Sequence, residues 1–149
     1  MTIFKNIVTD FGAVAGAQKL TGIVVTGTSG STNVAFSSGS FGTSDAGKFI
    51  YGLKPDDPVN PYFTTTIASV TNATHIQLGS PLGQTLSSAS IELRWGIDTL
   101  NAFAVATSSF TTFAQTAGDY VDLTVPVGTY LFASGGGNVA LFGGISLGC

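Results

Sequence analysis

The chain has 149 residues, a length that suits one domain or one domain carrying a small insert. Eight acidic against five basic residues give a net charge of −3, and only 9 % of residues are charged, so no basic stripe exists to neutralise phosphates and nucleic-acid binding is not expected. A single cysteine, Cys149, and a single histidine, His75, argue against a disulfide framework, a zinc site or a histidine relay within one chain. No cofactor is expected.

Met1–Asn6 lacks a charged segment followed by an apolar core, so no signal peptide is read there. Apolar runs are broken by Gly and Thr well short of the roughly twenty residues a membrane span needs, and membrane insertion is not expected. β-branched and aromatic residues alternate with small polar ones, which predicts many short strands. In chain order these are Thr21–Gly27, Asn33–Ser37 and Lys48–Leu53. Lys54–Pro61 holds three of the five prolines and predicts an exposed loop, since proline removes ladder donors. Tyr62–Val70 and His75–Leu78 then read as a hairpin across the polar turn Thr71–Thr74, with His75 facing solvent. Ser90–Trp95 places Ile91, Leu93 and Trp95 inward by the period of two.

Asp98 is a good N-cap, and Thr99–Thr107 contains no Gly or Pro, so one short helix is predicted there with Leu100, Phe103 and Ala104 on one face. Strands resume at Tyr120–Val125, Thr129–Phe132, Val139–Phe142 and Ile145–Leu147. The last two are strongly apolar and Gly-rich. Leu141, Phe142, Ile145 and Leu147 are therefore expected to form an assembly interface or to support further chain, because an apolar strand edge invites pairing.

No catalytic residue is assigned. Hydrolysis of a glycan needs two carboxyl groups roughly 5–9.5 Å apart. The available acids read more simply: Asp119 as a turn, Asp122 as outward on its strand, Asp56 and Asp57 as a hydrated loop, Asp98 as a cap. Asp45-Ala46-Gly47-Lys48 lacks the first Gly and the Ser/Thr of a phosphate loop. Trp95, Tyr51 and Tyr62 could offer a sugar-stacking platform, but core or subunit packing is the more ordinary reading.

Three segments, in order, carry a resemblance: Asp10-Phe11-Gly12-Ala13; Gly96 with Asp98-Thr99; and Pro126, Gly128, Thr129 and Tyr130 within Val125–Leu131. Between the first two, Ser44–Ile50 and the Thr65–Leu78 hairpin are similar to an insert common in the same proteins. Together they resemble the N-terminal part of phage tailspikes and tail fibres of the pectate-lyase-like right-handed β-helix superfamily. The resemblance implies a mainly β chain: an opening and cap strand at 1–20, a small β-rich insert domain at 21–94, then a capping helix and the first coils of a right-handed parallel β-helix at 95–149. It implies a structural virion component in the phage tail that positions and docks a receptor-binding region, a homotrimer, and contacts with other tail or baseplate proteins. A host surface glycan would be met through a longer parent protein. Two alternatives stand beside it: the non-catalytic start of a polysaccharide depolymerase tailspike, and a capsid decoration or head-fibre protein.

Overall fold

A computed structural model describes the chain except for residues 1, 58, 100–101, 103–105, 107–119, 133–137, 143–144 and 149. The chain forms two compact units, Gln18–Gly96 and the pair of segments Met1–Ala17 and Ile97–Cys149. The sequence places the breaks after 20 and 94. The contacts place them after 17 and 96, because Gln18 and Gly96 are already held in ladders, opposite Trp95 and Phe49.

The unit Gln18–Gly96 is a closed antiparallel barrel of six strands: β2 (Gln18–Gly27), β3 (Asn33–Phe36), β4 (Phe49–Leu53), β5 (Phe63–Asn72), β6 (His75–Leu78) and β7 (Leu86–Gly96). Around the barrel they run β2-β3-β6-β5-β4-β7, with β7 returning to β2. Strands β4, β5 and β6 form a meander and β7 crosses back beside β4, which is a Greek key. Closure leaves no free edge in this unit.

Alternation builds the core directly. Ile23 and Val25 from β2, Val34 and Phe36 from β3, Ile76 and Leu78 from β6, and Ile91, Leu93 and Trp95 from β7 are all buried in it. Phe41 stacks at a tilt between Phe36 and Trp95, at centroid distances of 5.4 and 4.7 Å. Bulges bend the strands far enough to close. Leu20 and Ile23 of β2 face Leu93 and Ile91, one residue extra, and Gly22 takes the left-handed φ of +68° that this needs. On β7, Ser88 takes φ +58° where the second register shift occurs.

The second unit holds β1 (Thr2–Asn6), β8 (Tyr120–Val125), β9 (Gly128–Phe132), β10 (Asn138–Phe142) and β11 (Ile145–Gly148). Strand β8 lies between β1, which is parallel to it, and β11, which is antiparallel, while β9 and β10 form a separate antiparallel pair. Buried Ile7, Ala13, Ala102, Ala106, Leu123, Val125 and Tyr130 form its core, with Val8, Phe11 and Phe132 packed against it.

Two expectations are corrected here. The described residues do not form the first coils of a right-handed parallel β-helix. Apart from β1 with β8, every strand pairing among the described residues is antiparallel. Period-two alternation marks a half-buried strand of either kind, whereas the two-residue link Ala73-Thr74 can join only antiparallel neighbours. Nor is a capping helix among the described elements. Asp98, expected as its N-cap, makes a parallel bridge to Leu131, and most of 99–107 lies outside the described residues, as does Asp119.

Candidate functional site

The three segments that lead the resemblance gather in the second unit, Gly96 excepted, while the insert residues Ser44–Ile50 and Thr65–Leu78 lie in the barrel. After β1, Asn6 accepts from the N–H groups of Val8 and Thr9 through Oδ1, and Asp10 turns back to accept from the Asn6 N–H at 2.8 Å. Lys5 lies 3.7 Å from the same Asp10 carboxylate. Gly12, at φ +75°, lets the chain reverse, so that the Ala13 N–H reaches the Ile7 carbonyl at 3.0 Å and the Ala13 methyl enters the core. Phe11 is half-buried against that core.

The other two segments are tied to one another. Thr99, buried, donates both its N–H and its hydroxyl to the Leu131 carbonyl, at 2.9 and 2.8 Å. Tyr130 is fully buried, donates to the Pro126 carbonyl at 3.1 Å, and has its phenol pushed up by burial. The Thr129 carbonyl accepts from the N–H groups of Gly16 and Ala17, so the N-terminal segment is clipped to β9. Gly128 allows this close approach, since a Cβ there would stand 2.8 Å from that of Ala15. Gly96 is instead a buried barrel residue at the end of β7. Leu141 and Phe142 belong to β10, which pairs with β9, and Ile145 and Leu147 belong to β11, which pairs with β8.

In the barrel the Asp-x-Gly-Lys segment is a structural clasp. Thr43–Asp45 forms a 3₁₀ turn, Gly47 takes φ +86°, and Lys48 returns to donate to Asp45 at 2.6 Å. Burial by itself would raise the Asp45 carboxyl, but Lys48 and the Gly42 N–H at 2.9 Å outweigh it, so it sits below the usual carboxylate range. The buried indole N–H of Trp95 makes no hydrogen bond among the described residues, and its pull on the Asp45 carboxylate adds only slightly to that lowering. Glu92 follows the same pattern: burial opposes ionisation, while Arg94 and Lys19 more than compensate. Trp95 and Tyr51 are buried and Tyr62 lies half-buried under the Lys54 ammonium, so the three offer no exposed stacking platform.

A feature that the strand pattern did not reveal lies on the barrel's outer wall. Register aligns Thr26 of β2 with Ala35 of β3, Ala35 with His75 of β6, and His75 with Asn72 of β5. Ala35 is the small residue in this row, and the hollow above it is a cleft of about 470 Å³ that also takes in Thr28, Asn33 and Thr71. Its wall contains no Lys, Arg, Asp or Glu. His75 Nδ1 lies 3.1 Å from Asn72 Oδ1 and 3.0 Å from Thr74 Oγ1, which fixes the ring at one end. Outward-facing residues on four strands could have suggested this row, but only with the strand order known.

No family model matches the chain, and no curated protein or solved structure matches it either.

Proposed function

We propose that the chain is a non-enzymatic structural component of a phage virion, a segment of a tailspike or tail fibre that positions and docks a receptor-binding region. The observation that carries this reading is the meeting of three distant motif segments in one small core. Thr99 is tied to the Leu131 carbonyl, Gly16 and Ala17, just after Asp10–Ala13, are tied to the Thr129 carbonyl, and Ala13 and Tyr130 share one core. Residues that define a resemblance and also build one core act as a framework rather than as a reaction centre. The role does not depend on β-helix coils.

Surface character adds support. Phe4 and Val127 are 72 and 74 % exposed, and among the described strands β1 lies at the edge of its sheet. Such features suit a subunit that packs against copies of itself in a homotrimer, or against other tail or baseplate proteins. Antibody labelling of purified particles in the electron microscope tests the proposal. Label at the tail supports it; label on the head shell, or absence of the protein from particles, overturns it.

A further inference from the structure

We propose that the outer-wall cleft of the barrel is a binding site for a neutral, polyhydroxylated ligand, a short stretch of uncharged oligosaccharide. The inference stands apart from the virion reading and rests on the cleft alone. Its volume, about 470 Å³, falls within the range of small-ligand sites, roughly 300–1,000 Å³.

The chemistry of the wall selects the ligand class. Thr26, Thr28 and Thr71 each present a hydroxyl that can donate and accept, and Asn33 presents an amide with both capacities. The backbone N–H of Asn33 is already satisfied by Ser31 at 3.0 Å, so its side chain is not needed to close the turn. With His75 Nδ1 engaged by Asn72 and Thr74, Nε2 is the ring nitrogen left for a ligand. An anionic ligand would find no Lys or Arg in the wall, and a cationic one no carboxylate. A purely apolar ligand would meet the apolar parts of the wall, Val34, Ala35 and Ile76, but would strip water from the hydroxyl and amide groups without offering hydrogen bonds in exchange. A sugar replaces that water in kind, and its C–H face can lie over the Ala35 methyl at the bottom of the hollow.

The intact chain should be applied to a printed array of neutral and acidic oligosaccharides, with the best-retained neutral sugar then titrated by NMR. Retention of neutral sugars is expected, with amide shifts confined to Thr26, Asn33, Ala35 and His75. Ala35→Trp fills the hollow from the outer face and should weaken binding at least about tenfold, the effect of losing roughly 1.4 kcal/mol. Asn33→Ala, at an exposed position, should weaken it in the same direction and serves if the larger substitution unfolds the barrel. No retention of any neutral sugar, preference for acidic ones, or undiminished binding by the variants overturns the inference. None of these outcomes moves the antibody label on the particle, so the two proposals fail separately.

Discussion

Asp45 shows what the Asp-x-Gly-Lys segment does once a phosphate loop is excluded for it. In the fold the left-handed Gly47 sends its N–H to the Ile67 carbonyl at 2.7 Å, and Lys48 is turned back onto the carboxylate. Because the Asp45 carboxyl ionises more readily in the folded chain than in the unfolded one, its stabilisation is present above the ordinary carboxylate pKa of about 3.9 and is lost as pH falls below it. Asp45→Asn should therefore be less stable than the parent at pH 7, with the gap narrowing toward pH 3. Urea unfolding across that range checks this; parallel curves for the two proteins would sink it. Glu92 shifts in the same direction but is present in both and cancels from the comparison.

Among the elements, most strands of the barrel were readable individually because alternation between core and solvent is written into them, β3, β6 and the second half of β7 most plainly, whereas Ile50–Leu53 of β4 are buried in succession. Ile91, Leu93 and Trp95 are buried as their spacing requires. Irregularities were not readable. Gly22 signals its bulge only in hindsight, and Ser88 gives no signal, since serine is an ordinary strand-surface residue. A serine at φ +58° carries a cost that glycine does not. Ser88→Gly should leave the barrel as stable as the parent or more so, by up to about 1 kcal/mol, whereas Ser88→Val should destabilise it by more than that. Thermal unfolding of the three proteins decides the matter, and a Val variant as stable as the Gly variant would contradict the assigned backbone. The parallel β-helix expectation failed at this scale too. Motif order carried it, and motif order does not say which strand edges meet.

The whole molecule follows from one pairing. Gln18 opens β2 and Trp95 lies opposite it near the end of β7, so the chain enters and leaves the barrel at adjacent ladder positions, about 5 Å apart. An insert built this way needs nothing from the flanking chain to close. Gln18–Gly96 expressed by itself should accordingly fold to a monomeric β protein that unfolds in one cooperative step, as followed by far-ultraviolet circular dichroism in urea. A fragment without cooperative unfolding would show that the barrel relies on the other segments. The sequence by itself determined the β class, the approximate positions of most strands and the inward residues of β7, because these depend on local alternation and turn chemistry. Tertiary structure alone decided that six strands close antiparallel and that β1 lies parallel to β8. It alone set Ala35 between Thr26 and His75 to open a cleft, because strand partners distant in sequence are chosen by which edges and apolar faces fit together.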